Sequence, residues 1–508
     1  MSTTDALRNR TSAASQRMRQ NNGVVLGVIL VCQVMVIIDG TVVNIALPAI
    51  RESLNFSAEN LSWVINAYTL SFGGLLLLGA RAGDIIGRRC TFIAGVAVFT
   101  VASLVGGFAH NAAELLIARS AQGIGGAFAS PAALSLLMSR FSDGPERTRA
   151  IGLYTAVTVG GSAAGLIVGG ILVEWVSWRW VMFINVPIGV IELALARLAI
   201  TETERHGGTF DLLGAITSTG GMAAVVYGLV RAATDGWSDP ATTVSFVVGV
   251  TLLVAFIRIE RRAESPITPL RLFADRARAT AYVVRLFLVA GMTGTFFFFS
   301  QYLQNVLDYS PLRNGVAFLP IAILLFVSSQ ASSRALVERF GAKPLMIIGI
   351  SLTSLGTLAA TRLTTDSGYG PVLLTLCLCG VGNGLGFVPL TSAALSRVRP
   401  EESGAASGLV NVMQQVGGSL GLAILITIFG TTTRHASAGG RGGQALANDI
   451  FVLGMHRAFE MSTLLVATSV LLIIFVMGPV SLAAPARRED RLTEDLETAG
   501  ALSATASE

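Results

Sequence analysis

The chain reads as an all-α membrane protein with fourteen transmembrane helices. Three observations predict this. First, 52% of its 508 residues are hydrophobic and 13% are charged, against roughly 25% charged in soluble proteins. Mean hydropathy is +0.66. Such a chain cannot cover a soluble globule with polar groups, so lipid must cover most of it. Second, apolar runs of spanning length, ~20 residues each, recur from residue 24 to residue 480. Third, the basic residues fall mainly in alternate connections between those runs.

The predicted spans are 24–46, 61–80, 91–109, 112–138, 151–173, 180–199, 211–230, 241–258, 279–304, 314–333, 344–361, 371–396, 404–430 and 457–480. The seventh carries Thr217, Ser218 and Thr219, and the eighth is short. The first run is too long for a cleaved signal peptide and is expected to stay as a span. An even count puts both termini on one face. Of the 36 Lys and Arg, 25 lie in the N-terminus and every second connection, 8 lie in the opposite connections, and Arg119, Arg197 and Arg285 lie inside spans. By the positive-inside rule both termini are cytoplasmic, in an inner membrane. The five Trp (63, 175, 178, 180 and 237) fall near predicted outer ends, where an interfacial belt is expected. The 55 Gly against 15 Pro match helices that pack closely in lipid.

Several function classes are excluded or left without support. Basic residues are dispersed among short loops, unlike the exposed basic face of a nucleic-acid binder. The single lysine, Lys343, is followed by Pro344, so no Walker A loop exists. Cys32, Cys90, Cys377 and Cys379 show no metal-ligand spacing and read as small apolar fillers. None of His110, His206, His435 and His456 lies deep in a predicted span. No catalytic cluster or metal set is visible. No cofactor is expected, and any proton coupling falls on carboxylates.

The chain also repeats itself. "VGGS" occurs at Val159–Ser162 and again at Val416–Ser419, each after a charged loop and a Gly-Leu pair. "GARAGDIIGRR" (79–89) has a weaker echo in "VERFGAK" (337–343). Internal repeats of this kind mark transporter halves. The expected division is an N-terminal tail (1–22), a six-helix bundle (23–200), a segment with two extra helices (201–275), a second six-helix bundle (276–482) and a C-terminal tail (483–508).

Two acids lie deep in spans. Asp39 sits about 15 residues into the first, or ~22 Å. Arg119 sits about 7 residues into a span entering from the other face, or ~10 Å below it. In a ~30 Å core both lie ~20 Å above the cytoplasmic face. A charge near a helix centre costs roughly 2.5–3.5 kcal/mol, and burial penalises the ionised form of a carboxyl group, so Asp39 is a candidate proton carrier. The other reading is a structural hydrogen bond. Arg119 is expected to modulate the Asp39 proton, directly or through Gln122, or else to tether helix ends. Glu192 lies near the midplane of the sixth span. It is a candidate for a second proton or a cationic cargo, or for a pair with Arg197.

Candidate cargo contacts are Gln122, Phe297, Gln301, Gln304, Asn383, Asn411 and Gln415, with Gln414 beside the last. The run Phe296–Phe299 covers every side of one turn, so one or two rings at most can face a ligand. The second half has no acid deep in a span, which favours a neutral or singly charged amphiphile over a dication. Gly161, Gly165 and Gly169 repeat at i, i+4 and i+8, a spacing that lets two helices touch and slide.

These stretches resemble the major facilitator superfamily, in particular its fourteen-span drug:proton antiporters. "DGTVVNIALP" (39–48) looks like that subgroup's first-helix signature. "RAGDIIGRR" (81–89) is similar to the loop between helices two and three. "ARSAQGIGGAF" (118–128), "GSAAGLIVGG" (161–170) and "WRWVMFINVPIG" (178–189) resemble the fourth-, fifth- and sixth-helix motifs. Two positions depart from the pattern: Ile85 stands where an Arg is usual, and Leu166 where a Pro is usual. The resemblance implies two six-helix bundles related by a pseudo-two-fold axis, with a two-helix insertion. It implies proton-driven export of amphiphilic small molecules by a monomer in the bilayer, powered by the proton gradient. It also implies a gating latch at Arg81, Asp84, Gly87 and Arg88, where the other reading is charge that only sets topology. Gly161, Gly165 and Gly169 become gating candidates on the same basis. Export of one self-made metabolite, such as an antibiotic or siderophore, is the alternative.

Overall fold

The structure is a computed structural model. It describes residues 21–57, 60–141, 145–202, 211–263, 270–396, 398, 403–437 and 444–478. Fourteen helices carry the chain back and forth. In the first half they are α1 (Asn22–Leu54), α2 (Trp63–Ile85), α3 (Arg88–Gly107), α4 (Ala112–Arg140), α5 (Pro145–Trp175) and α6 (Asn185–Ala199). Next come α7 (Leu212–Thr234) and α8 (Pro240–Glu260). The second half holds α9 (Arg276–Asn305), α10 (Leu319–Ala331, preceded by the short Pro311–Ala317), α11 (Ala342–Ala360), α12 (Tyr369–Ala394), α13 (Ser403–Ser437) and α14 (Gln444–Phe475). Thirteen meet the length and hydropathy of a membrane span, and the apolar part of α5 described here, Gly160–Trp175, is shorter. No strand occurs among the described residues.

Local chemistry sets the helix ends. Asn21, Asn111, Asp239, Asp275 and Ser310 each accept a backbone N–H at an N-terminus, the usual task of these side chains. Asn55 takes a left-handed conformation, φ 54°, and ends α1. Proline breaks two predicted spans. Pro187 has no amide hydrogen for the carbonyl of Phe183, and the sixth span divides into Trp180–Phe183 and α6. Pro320 likewise follows the break at Phe318 in the tenth. With Leu166 in place of Pro, α5 runs unbroken.

Two sequence expectations need correction. α14 begins at Gln444, thirteen residues before the expected start. Its extra turns rise to the turn after α11, where His456 bonds the Leu363 carbonyl and Thr365 donates to Asp449. Trp178 does not join an interfacial belt. It is 5% exposed, inside the core with Leu54, Leu61 and Leu115, its ring 4.6 Å from the Arg179 guanidinium. Trp175, Trp180 and Trp237 are exposed as expected.

The pairing of helices repeats. α1 packs on α5, α4 and α6, and α9 packs on α13, α12 and α14. α2 and α3 pack on α4 as α10 and α11 pack on α12. The repeat therefore relates two six-helix bundles by a pseudo-two-fold axis. The helices that carry the two "VGGS" stretches make comparable close contacts. Gly165 and Gly169 of α5 lie against Ile38, Thr41 and Val42 of α1, while Gly417 and Gly421 of α13 lie against Leu286 and Ala290 of α9. α2 meets α13 and α5 meets α10, which closes the bundles on each other. α7 and α8 pair together, and α7 lies against both α2 and α13.

We call the face where α1 starts the terminal face and the opposite one the far face. The hydrogen bonds joining the halves include a group toward the far face. Ser300 donates to the Asn44 carbonyl (2.9 Å), Gln304 to the Ile45 carbonyl (3.2 Å) and the Leu312 amide to Glu174 (2.9 Å). Ser419 donates to Asn66 (2.9 Å) on the α2–α13 side.

Candidate functional site

The first bundle encloses a polar cluster around Asp39. Asp39, Gln122, Asn185 and Ser103 are 0% exposed and Arg119 is 1% exposed. α1, α3, α4 and α6 each supply part of it. Arg119 Nη1 donates to Asp39 Oδ2 at 2.6 Å and to Gln122 Oε1 at 2.9 Å. Its Nε donates to the Val64 carbonyl at 3.0 Å, and its guanidinium stands 4.5 Å from the centre of the Tyr68 ring. Asp39 Oδ1 accepts from Gln122 Nε2 (3.1 Å) and Asn185 Nδ2 (2.9 Å). Gln122 Nε2 also donates to Ser103 Oγ at 2.7 Å. Arg119 thus meets Asp39 directly, with Gln122 bridging as well.

This arrangement is a buried ion pair with its own hydrogen-bonding shell. A buried ion pair persists only when its remaining donors and acceptors are satisfied, and both carboxylate oxygens of Asp39 are. A proton on Asp39 would cancel the anion and leave Arg119 as an uncompensated cation in the core.

Glu192 stands apart. It is 0% exposed on α6, one heptad beyond Asn185, and close to the Cys32 thiol, one heptad before Asp39 on α1. Neither carboxylate oxygen has a partner in hydrogen-bonding geometry. The alternative pair with Arg197 does not form. Arg197 is exposed, because a five-residue offset on a helix turns two side chains to different faces.

The candidate cargo residues fall in separate places. Gln122 belongs to the Asp39 cluster. Phe297 is 1% exposed in an aromatic core with Phe298, which packs on Phe429 and Phe459. Gln301 is 3% exposed, its amide directed at the Phe297 carbonyl of its own helix. Gln304 ties α9 to α1. Asn383 is buried and donates to the Cys379 carbonyl, with its oxygen unpartnered. Asn411 is exposed, and Gln415 meets Gly73 of α2. A cavity of about 370 Å³ opens on the far face beside Pro48, Glu52 and Asn305, nine or more residues beyond Asp39 along α1.

At the terminal face the loop between α2 and α3 is held within its own bundle. Gly87 has φ +115°, a conformation that favours glycine, and a Cβ there would meet the Glu202 carboxylate at 2.7 Å. Glu202 accepts from the Arg89 amide (3.0 Å) and the Cys90 amide (3.3 Å), capping α3 from beyond α6. Arg88 donates to the Ser135 carbonyl at 3.4 Å and Arg89 to the Arg197 carbonyl at 3.0 Å. Arg81 is partly exposed. The Asp84 side chain lies outside the described residues. Among the gating glycines, Gly165 and Gly169 touch α1 closely and Gly161 meets Ile37 at 3.6 Å.

Sequence reasoning missed Asn185, Ser103 and Tyr68. Asn185 carried a signal, a single amide inside "MFINVPIG". Ser103 and Tyr68 carried none, since isolated hydroxyls are common in spans.

Fourteen helices in two repeated bundles, with an ion pair sealed inside one of them, define a multi-pass membrane protein of the transporter class. The Major Facilitator Superfamily pattern matches residues 29–422, and the chain belongs to that family. It is 41% identical over 408 residues to the puromycin resistance protein pur8 of Streptomyces alboniger, covering 79% of this chain and 81% of the relative. It is 37% identical over 436 residues to the cephamycin export protein CmcT of Amycolatopsis lactamdurans, covering 84% and 90%. Among solved structures, a bacterial homologue of the human lysosomal transporter Spinster aligns with TM-score 0.63 at 15% identity, over 89% of this chain and 96% of that one. That likeness is one of fold.

Proposed function

We propose that the protein is a proton-driven exporter of amphiphilic small molecules, antibiotics among them, that works as a monomer in the cytoplasmic membrane with both termini inside. The observation that carries this reading is the buried Asp39–Arg119 pair with every Asp39 oxygen satisfied. Membership of a transporter family and relatives named for antibiotic resistance and export support it. The excess of Arg in the terminal-face connections supports the orientation. In this reading the two bundles rock about a site between them. A proton from outside neutralises Asp39, frees Arg119 and favours the state that releases cargo outward; the proton then leaves to the cytoplasm. About 100 mV contributes ~2.3 kcal/mol per charge and each pH unit ~1.36 kcal/mol. One proton per neutral cargo thus sustains a gradient of ~10²–10³. Gly161, Gly165 and Gly169 would be the sliding surface and Arg81, Asp84, Gly87 and Arg88 the terminal-face latch.

Purified protein in liposomes with an imposed pH difference tests this. Dye accumulation should follow the pH difference and vanish when it is collapsed. Accumulation that ignores both acidity and voltage removes the proton from the mechanism. A second reading, a pump dedicated to one compound, is favoured by relatives named for single antibiotics. A panel of cargoes in the same liposomes separates the two.

A further inference from the structure

Among the described side chains, three arginines sit deep within helices of the bundles: Arg119, Arg278 and Arg285. Arg119 has Asp39. Arg278, near the start of α9, is surrounded by backbone carbonyls of Leu272, Ser396 and Arg271. Arg285 has neither. It lies nine residues into α9, about 14 Å along the helix. Its Nη1 donates to Thr391 Oγ1 of α12 at 3.2 Å and its Nη2 to Gln414 Oε1 of α13 at 2.7 Å. One face of the guanidinium covers the Phe387 ring at 4.3 Å. No carboxylate reaches it among the described residues, and its buried Nε has no partner.

A guanidinium has five N–H donors in a planar fork matched to carboxylate and phosphate. Two are used here, both by neutral acceptors. A charge left deep in a span without a counter-ion is costly, and side chains that touch nothing charged do not recover that cost. The residue is also not sealed: it keeps partial exposure, as do Phe387, Thr391 and Gln414. Its ring neighbour and two neutral acceptors fix the plane of the fork and leave the remaining N–H groups for something else. A lipid phosphate is the competing source of an anion, and the two probes below distinguish it from a cargo carboxylate.

We infer that Arg285, positioned by Gln414, Thr391 and Phe387, is a subsite in the second bundle for a carboxylate or other anionic group on an amphiphilic cargo. The subsite rests on the export reading for its purpose, but it is an equilibrium binding site and needs no proton gradient. It gives the second bundle a positive counterpart to the acid-bearing first bundle. A cargo with an aromatic body would stack on Phe387 and place its anion on the fork.

The test uses the full chain in nanodiscs of phosphatidylcholine without anionic lipid. Two fluorescent probes share one aromatic body: anthracene-9-carboxylate and anthracen-9-ylmethylammonium. Wild type should bind the carboxylate at least tenfold more tightly than the ammonium. Arg285→Gln should weaken the carboxylate tenfold or more and leave the ammonium unchanged, and Arg285→Lys should recover part of the loss. Gln414→Glu keeps the fold by ion-pairing Arg285 in place and should expel the carboxylate probe while Arg285 remains. Equal carboxylate binding in wild type and Gln414→Glu, or equal wild-type affinity for the two probes, overturns the proposal. If the carboxylate preference is present but liposomes show no proton-dependent flux, the export reading fails and the subsite stands.

Discussion

Removing one member of a buried ion pair is costlier than never having had the pair, by about 3–5 kcal/mol, because the other charge stays behind. Arg119→Ala should therefore lower the thermal unfolding temperature in detergent well below that of wild type. The double variant Asp39→Asn with Arg119→Gln should recover much of that loss, since no charge is left in the core. Asp39→Asn alone strands Arg119 in the same way and should also lower the unfolding temperature; in the proposed cycle the folded fraction in liposomes shows dye accumulation at the passive level, and pumping at the wild-type rate by this variant would take Asp39 out of the cycle. Glu192 predicts differently. Its nearest polar neighbour is the Cys32 thiol and it pairs with no charge among the described residues, so Glu192→Gln, which keeps its size, should lower the unfolding temperature less than Arg119→Ala. A pH–flux profile identical to wild type would then leave Glu192 with no part in proton transfer.

At the scale of single helices, contact surfaces and caps decide. α5 approaches α1 so closely that a Cβ on Gly165 would strike the Thr41 side chain. Gly165→Leu should cost about 1–3 kcal/mol by overpacking, read as a lower unfolding temperature, with a loss of flux. The turn between α7 and α8 offers a pH test. Arg231 donates to Asp239 at 2.7 Å and the Thr242 amide at 2.9 Å, which holds the Asp239 carboxyl below its ordinary value of 3.8. A depressed acid contributes stability that is complete above the ordinary value and is lost as pH falls through the lower folded one. The protection factor of the Thr242 amide, taken against the intrinsic exchange rate at each pH, should hold down to about pH 5 and fall below about pH 4. Asp239→Ala, which removes both the cap and the ion pair, should show the reduced protection already at pH 7. The apolar run alone placed the start of α8 at 241, within a residue of its observed start at Pro240, and the structure adds that Asp239 caps it. The early start of α14 was not legible. Its first three turns mix polar and apolar residues, and they are helical because they pack on a turn far away in sequence.

For the whole molecule, the bonds between halves toward the far face tie Asn44 and Ile45 of α1 to α9. Rocking of two rigid bundles requires these to part when the terminal face closes. Spin labels at Glu52 and Val316 report the far face, and labels at Ile86 and Leu395 the terminal face; all four are exposed. On replacing Asp39 by Asn, the two distances should change in opposite directions. A change at one face only would rule out rocking and leave a local gate. α7 adds a constraint of its own: Thr427 of α13 donates to the Leu229 carbonyl at 2.6 Å, and the Trp63 ring of α2 lies tilted against Tyr227, their centres 6.3 Å apart. The inserted pair therefore bridges the seam between bundles, and in the proposed cycle it would move with them.

By composition, span length and charge placement alone, this chain was committed to lipid, to fourteen crossings, and to an internal repeat with one exceptional acid in the first span. Those properties depend on transfer free energies of short segments, and short segments are what a sequence displays. Asp39 and Arg119 could be placed at one depth because rise per residue is constant. Only the folded packing decided which side chains turn toward each other. It gave Asp39 the amide of Asn185, 146 positions away. It left Glu192 with no partner, drew Trp178 into the core and set Arg285 among neutral acceptors. Those outcomes depend on the rotation of each helix against its neighbours, which is fixed by glycine contacts between helices and by no single helix alone.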